Sequence, residues 1–368
     1  MNCTKIVIDT KTQTYPIFIG KSLIPKMRFL LKKNLKNFEK CLVIVDKNVP
    51  KKILKKIIKI LNKKQLSIFQ FKANELNKSQ KSLESILKIL LKENFSRQDC
   101  LITIGGGITG DLGGFAASVF KRGIQLVNMP TTLLAQVDSC IGGKTGINTK
   151  YGKNLVGSFY QPKLVISDTE LLESLPRREI ICGYAEILKH SLIADKNFFN
   201  FLQKNISQIL NLKAPFLEKA IIKSCKIKKL IVEKDEKESG IRKILNLGHT
   251  FAHAYEASLG YSKILNHGEA VILGIKSASK FSLKNKILKI ADYQSIISHL
   301  NNANLSHDIK IFFSLKDIDK IISFMLTDKK NISKSINLIL LKKIGSTQYN
   351  KNFSKNKIKL FLKNELTN

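Results

Sequence analysis

Short β-branched runs alternate with stretches of helical periodicity over the first 175 residues, and this rhythm constrains the fold more than any other feature of the chain. Ile6–Ile8 and Pro16–Ile19 read as strands ahead of a helical Leu23–Leu35. Cys41–Val45, Ser67–Phe71, Leu101–Ile104, Ile124–Met129 and Leu164–Ile166 continue the series, with helical Val49–Leu61 and Leu83–Leu91 between them. Parallel strands need long crossover connections, and helices supply them. The alternation therefore predicts an α/β fold built on a Rossmann-like, doubly wound parallel sheet.

The rhythm changes at Leu175-Pro176-Arg177-Arg178-Glu179. Beyond it the pattern is helical over about 178–192, 195–210, 215–237, 246–259, 267–283 and 287–302, punctuated by Pro215 and Gly240. Ile336–Leu341 reads as a late strand, and the Lys/Asn-rich tail after Gly345 as one weak helix. The expected organisation is an NAD-binding α/β domain at 1–175 and an α-helical, metal- and substrate-binding domain at 176–368. With 368 residues, 43% of them hydrophobic, the chain has material for two cores and far too much for a disordered basic tail.

Lys+Arg number 63 against 28 Asp+Glu, a formal net charge of +35. Only six of those cations are arginines (Arg28, Arg97, Arg122, Arg177, Arg178 and Arg242), and the lysines are spread along the whole chain. Arginine is the residue suited to bidentate phosphate and base-edge recognition. The surplus therefore reads as compositional bias rather than a nucleic-acid surface. The most apolar long window, Leu101 to Phe120, is broken by Asp111 and several glycines and is no membrane span. The N-terminus enters a strand pattern with no signal-peptide core, and the six dispersed cysteines contain no Cys-x-x-Cys. Both point to a reducing, cytoplasmic setting.

Three constellations carry chemistry. Gly105, Gly107 and Gly110 satisfy G-x-G-x-x-G between the strand Leu101–Ile104 and the helical Leu112–Phe120. In that context glycines let the backbone approach a pyrophosphate, and the helix N-terminus offers N–H groups and positive dipole. The acidic residue usual about 20 positions on is replaced by Pro130-Thr131-Thr132, but Asp46 ends an earlier strand where a ribose-binding acid can sit. The second constellation is Asp138–Asn148 with Gly152-Lys153-Asn154. Gly142-Gly143-Lys144-Thr145 is not a Walker A loop, because Ser139 stands where that loop needs Gly. What remains reads as a flexible loop presenting lysines and an asparagine to phosphate or carboxylate. The third is metal-like. His249 and His253 share a helix face at i,i+4, His267 opens the next helix, and Glu186 lies on a mostly apolar helix. One Glu and two His with an open position form a catalytic divalent-metal arrangement, though spacing does not choose two ligands among three histidines. His190, His299 and His307 have no such company.

Together these stretches resemble the 3-dehydroquinate synthase family. Further matches are Arg122-Gly123, Pro130–Asp138, Phe159-Tyr160-Gln161-Pro162, Ala185-Glu186, Asn246–His253 and His267-Gly268-Glu269-Ala270, dense from about 100 to 270. The resemblance implies an NAD- and divalent-metal-dependent (Zn²⁺ or Co²⁺) carbon–oxygen lyase of the shikimate pathway, which leads to chorismate and the aromatic amino acids. Its substrate is a phosphorylated seven-carbon sugar acid, 3-deoxy-D-arabino-heptulosonate 7-phosphate (DAHP). The family oxidises the C5 hydroxyl, eliminates phosphate, reduces the ketone back, opens the ring and closes a carbocycle. It further implies a homodimer with neither nucleic-acid nor membrane partners.

Carried over by position, the resemblance implies Glu186, His249 and His267 as metal ligands and His253 as a proton relay or substrate contact. Lys189, Lys144 and Asn246 are implied at the reacting centre, with Arg122, Asp138, Asn154, Arg242 and Lys330 around the substrate and Asp138 orienting Lys144. For NAD it implies Asp46 and Asn48 on the adenosine side, then Gly106, Gly107, Ile108, Thr109, Gly110 and Asp111 at the pyrophosphate. Thr131, Thr132, Lys144, Lys153 and the segment Leu171, Leu172, Glu173, Ser174 complete the cofactor set. Two departures stand out. A family Gly-Glu-x-x-Lys segment maps here to Lys81 as the cofactor lysine, with Lys78 where Glu is expected and Glu75 nearby as a substitute. An Arg-Asp-Lys-Lys segment becomes Thr327-Asp328-Lys329-Lys330. The alternatives are another sugar-phosphate cyclase or a metal-dependent polyol dehydrogenase of the same architecture and, from a different class, a basic nucleic-acid-binding protein. The dehydrogenase leaves the phosphate-ready cations without a role, and the nucleic-acid binder leaves the Glu/His cluster without one.

Overall fold

The structure, a computed structural model, describes residues 3–306, 308–326 and 335–367. The chain divides into two compact units, Met1–Ile180 with Lys228–Lys237, and Ile181–Ile227 with Glu238–Asn368. The division thus falls slightly later than 175, and the return of Lys228–Lys237 to the first unit has no counterpart in the sequence pattern. Hydrogen bonds explain that return. Glu236 accepts from the Thr12 backbone N–H (3.2 Å) and from Gln161 Nε2 (2.8 Å), and Glu233 accepts from the Asp9 N–H (2.6 Å).

The first unit contains β1 (Cys3–Asp9), β2 (Thr14–Gly20), β3 (Lys40–Asp46), β4 (Gln65–Phe71), β5 (Cys100–Gly105), β6 (Gln125–Pro130), β7 (Lys144–Thr149), β8 (Gly152–Phe159) and β9 (Leu164–Asp168). Its helices are α1 (Met27–Asn34), α2 (Lys51–Leu61), α3 (Gln80–Lys92) and α4 (Gly107–Val119). Seven strands form one sheet in the order β1-β2-β9-β6-β5-β3-β4, parallel except for β1 against β2. Helices cover both faces, which is why β3 and β5 read as unbroken apolar runs. Cys41, Val43 and Val45 pack with Leu30 and Ile57 on one face, while Leu42 and Ile44 pack with Ile86 and Leu112 on the other. Where a flexible loop is expected after Ile141, β7 and β8 form an antiparallel hairpin with Ile147 opposite Val156.

The second unit begins within α5 (Arg177–Ala194) and continues through α6 (Lys196–Leu210), α7 (Phe216–Lys234), α8 (His249–Ser258), α9 (His267–Lys284), α10 (Ile290–Asn302) and α11 (Ile318–Leu326). The tail is more ordered than its composition suggests. Strands β10 (Ser335–Lys343) and β11 (Ser346–Ser354) pair antiparallel ahead of α12 (Lys355–Thr367). β11 is nearly all polar (Ser-Thr-Gln-Tyr-Asn-Lys-Asn-Phe-Ser), so it carries no period-2 apolar signal. Aromatic rings tie this tail to the helices. Phe281 of α9 meets Phe353 and Phe361 edge-on at centroid distances of 4.9 and 5.1 Å, and Phe251 of α8 lies 5.9 Å from Phe361.

Two of the isolated histidines serve this core. His190 Nδ1 bonds Ser224 Oγ at 2.6 Å, and His299 Nε2 bonds Tyr184 OH at 2.7 Å. His307 lies outside the described residues.

Phe281→Ala removes the ring shared by α9, β11 and α12 and should lower stability by about 3–5 kcal/mol, read as a shifted urea midpoint. Burial pushes the His299 imidazole down to about 4. An unfolded imidazole takes its proton near pH 6.5, roughly the free value, so between these values the unfolded state binds more protons than the folded one. Stability contributed by neutral His299 is complete above that pH and falls as pH drops towards 4, at up to about 1 kcal/mol per pH unit. His299→Gln should flatten that slope in urea melts run across this window.

Candidate active site

In the first unit the sheet brings the glycine turn to its natural place. β3 is followed by β4 on one side and, after α3, by β5 on the other, so the connections diverge at the carboxyl ends of β3 and β5. Crevices at such switch points are where doubly wound sheets take ligands. Val45 pairs with Ile104, and Asp46 therefore leaves β3 beside Gly105. Gly105 pairs with Pro130, and the Thr131 N–H donates to the Gly105 carbonyl at 2.9 Å, which seats Thr131 and Thr132 on the other side of the turn. α4 starts at Gly107 behind an N-cap, Gly106, that offers no side-chain cap, so its first N–H groups are available to an anion. The helix lies close on the sheet because Gly113 has no side chain. A Cβ there would stand 2.2 Å from Thr103 Cγ2. Uncapped donors, a backbone cradle and an acid at the neighbouring strand end fit the pyrophosphate and ribose of a dinucleotide.

Asp46 is half-buried and accepts from the N–H groups of Asn48 (3.1 Å) and Ala73 (3.3 Å), while Asn48 is exposed. The lysine beside the turn is Lys78. Its buried Nζ contacts Asp111 Oδ2 and Asn154 Oδ1, both at 2.5 Å. Burial raises the Asp111 carboxyl above its ordinary range, and Lys78 only partly offsets this. Lys81, by contrast, is exposed in the first turn of α3. The Gly-Glu-x-x-Lys spacing is in fact met three positions earlier by Asn74-Glu75-Leu76-Asn77-Lys78, with Asn in place of Gly, so both the Lys81 assignment and the supposed loss of Glu are corrected. Glu75 accepts from Asn148 Nδ2 (2.7 Å) and pairs with Lys153 Nζ (3.1 Å). Burial alone would raise its carboxyl, but Lys153 and Asn148 outweigh that and hold it below the usual range.

Other expected positions are distributed less simply. Arg122 sits with φ +63° just past the far end of α4, and the 13 residues of that helix separate it from the glycine turn by about 20 Å. The first unit therefore does not bring Arg122 to its own phosphate turn. Lys144 is exposed at the start of β7. Asp138 accepts at both its carboxylate and its carbonyl from Lys228 Nζ, each at 2.6 Å. Lys228 was not singled out in the sequence, because in α7 it is one lysine among many. Leu171 and Leu172 are buried, Leu171 within the hydrophobic core, while Glu173 and Ser174 are exposed. Lys330 lies outside the described residues.

In the second unit three helices converge. One oxygen of Glu186 and one nitrogen each of His249 and His267 lie within 4.8 Å of one another, and His249 Nε2 is 3.5 Å from Glu186 Oε1. Ligands at about 2.1 Å from a tetrahedral ion stand about 3.4 Å apart, so the spacing suits a divalent metal after slight contraction. Glu186 is 1% exposed and its Oε1 accepts no hydrogen bond among the described residues, as expected of an atom meant for a cation. Lys189, one turn on, pairs with Glu186 Oε2 and supplies buried counter-charge. Each histidine has its Nδ1 engaged. Leu247 O accepts from His249 at 3.2 Å, and Glu256 Oε2 accepts from His267 at 3.1 Å. With Nδ1 as the donor, Nε2 is the nitrogen of each ring suited to ligate a metal.

Local sequence places these groups. Gly248 holds φ +79° at the start of α8, and a Cβ there would strike the Ile275 backbone of α9 at 2.7 Å. Gly268 packs on α5, where a Cβ would come within 2.2 Å of Cys182 Cα. Asn266 and Glu269 form a capping box around His267. His253 is exposed, with its ring 5.3 Å from that of His249 and stacked 6.3 Å from that of His267, outside the converging trio but beside it. Asn246 donates to Glu238 Oε1 at 2.6 Å, and Arg242 is buried on the same short turn, Ile241–Asn246. Glu256 escaped the sequence reading, although its i+7 spacing from His249 and i+3 spacing from His253 put all three on one face of α8.

Residues 68–182 match the family model described as 3-dehydroquinate synthase N-terminal, and residues 183–331 match 3-dehydroquinate synthase C-terminal. A 3-dehydroquinate synthase of Pelagibacter ubique (strain HTCC1062) is 59% identical over 367 residues, covering 100% of both chains. One from Bartonella tribocorum (strain CIP 105476 / IBS 506) is 39% identical, covering 100% of this chain and 99% of its own. Among solved structures, a 2-deoxy-scyllo-inosose synthase complexed with carbaglucose-6-phosphate, NAD+ and Co2+ superposes with a TM-score of 0.88 at 26% identity, over 98% of this chain and 100% of the other. The chain belongs to the 3-dehydroquinate synthase family.

Proposed function

We propose that this chain converts DAHP into 3-dehydroquinate and phosphate, acting as a carbon–oxygen lyase with one NAD and one divalent ion, Zn²⁺ or Co²⁺. The observation that carries the reading is the buried Glu186 carboxylate facing two histidines whose Nδ1 atoms are both engaged. When bound, NAD supplies a transient hydride acceptor and the ion a Lewis acid that polarises a hydroxyl. Glu186, His249 and His267 hold the ion; Asp46, Thr131, Thr132 and the Gly106–Asp111 turn, through the first amides of α4, hold the dinucleotide. Exposed His253, beside the trio, holds and moves a proton at its imidazole. Asn246 and Arg242 hydrogen-bond substrate oxygens, and Lys144, Asn154 and Lys228 serve its charged ends. Arg122 and Lys330 belong to the same proposed set of substrate cations. Lys189 balances Glu186 and donates to substrate from the same buried position.

Oxidising C5 acidifies the neighbouring C6 proton, which makes loss of phosphate feasible, and returning the hydride leaves no net redox change. A polyol dehydrogenase has no use for such cations, which favours the synthase over that alternative. No helix among the described residues is long and apolar enough to cross a membrane. We place the enzyme in the cytoplasm as a homodimer, with a phosphorylated sugar acid rather than a polynucleotide as its anion.

Purified protein incubated with DAHP, NAD and Zn²⁺ or Co²⁺ should release one phosphate per substrate with no lasting absorbance at 340 nm. Absence of phosphate with both metals overturns the proposal, and stoichiometric NADH from a polyol points to the dehydrogenase. His267→Ala should lose metal retention and phosphate release together, checked by metal analysis after gel filtration alongside the activity assay.

A further inference from the structure

The three converging side chains are not equally constrained. Glu186 is almost fully buried and the His249 side chain is 11% exposed, but the His267 side chain is 34% exposed on the first residue of α9. His249 is aimed by its own local backbone, through Leu247 O. The half-exposed His267 imidazole, at the start of α9, takes its Nδ1 partner from the preceding helix. Glu256 is that partner. It is buried, comes from the third turn of α8 and accepts from His267 Nδ1 at 3.1 Å. One helix thus supplies His249 and the carboxylate that aims the histidine of the next helix.

We propose that Glu256 is a positioning residue for the metal centre. It locks the His267 ring in the Nδ1–H tautomer with Nε2 turned towards Glu186 and His249, and its negative charge raises the donor strength of that nitrogen for a divalent ion. Outer carboxylates paired with ligating histidines commonly act this way, and losing one weakens metal binding about 10–100-fold. The inference rests on the reading of Glu186, His249 and His267 as a metal site.

The test is Co²⁺ affinity of the metal-free full chain, measured by competition with a chromophoric chelator, together with the visible spectrum of bound Co²⁺. Glu256→Ala should bind Co²⁺ about 10–100-fold more weakly and shift the ligand-field bands. Glu256→Gln, which keeps an acceptor oxygen without the charge, should fall between it and the wild type. Circular dichroism and melting of the metal-free variants separate this role from a purely structural one, which would lower melting and leave the affinity of the folded protein unchanged. Wild-type affinity and spectrum in folded Glu256→Ala overturn the proposal; if that variant does not fold, the same result in Glu256→Gln does so. His267→Ala separates the two readings. Wild-type Co²⁺ binding there defeats the metal site itself, whereas loss there beside wild-type binding in Glu256→Ala defeats the positioning role alone.

Discussion

A carboxylate that is 1% exposed sets the terms for the helical unit. Removing Glu186 from water is costly unless opposite charge and polar groups meet it, and an unpaired charge in such a place would be strongly destabilising. α5 answers from its own next turn with Lys189, and α8 and α9 answer with the histidines at their first residues. These elements must therefore approach closely, and the glycines are placed accordingly: Gly268 lets α9 lie on α5, and Gly248 lets the start of α8 touch α9. The capping box at Asn266 and Glu269, the Leu247 carbonyl and Glu256 then fix angles that the close approach leaves open. Helix packing and metal chemistry are in this sense one constraint.

The first unit obeys a different logic. Its strand order sends the chain from β3 to β4 and from β5 to β6 in opposite directions, which opens a crevice at their carboxyl ends. Asp46, the Gly106–Asp111 turn and Thr131–Thr132 meet there because strand register puts them there. Around that crevice the charges are mutually paired, Lys78 with Asp111 and Asn154, Glu75 with Lys153 and Asn148. The net charge of +35 is thus a poor description of this region, where cations and acids alternate at contact distance.

How much was legible follows from where the information lies. Continuous apolar runs in β3 and β5 and 3.6-residue periodicity in α5 to α10 are local, and those elements appear close to their expected bounds. β11 was not legible because its residues are polar, and its pairing with β10 comes from a neighbour rather than from its own pattern. Lys228 was invisible because a lysine among lysines becomes distinctive only when Asp138 lies against it. Counting the Gly-Glu-x-x-Lys segment from its lysine favoured Lys81, since that residue opens α3. Counting from the glutamate instead picks Lys78, one residue ahead of the helix cap, and burial agrees. Arg122 lies close in sequence to the glycine turn, yet the intervening helix α4 carries it to the far end.

The amino-acid sequence by itself determined the layered α/β class, the change to helices near residue 175, the glycine turn behind β5 and the residue types able to hold a divalent ion. These depend on local periodicity, backbone freedom and donor chemistry, which are properties of short segments. Tertiary structure brought His249 and His267 to Glu186, where spacing alone left three histidines open, and it decided that Glu256 holds one of them and that Lys78 stands beside the phosphate turn. Those choices turn on angles between helices and on burial. Both arise only when segments distant in the chain pack together, and no spacing within one segment encodes them.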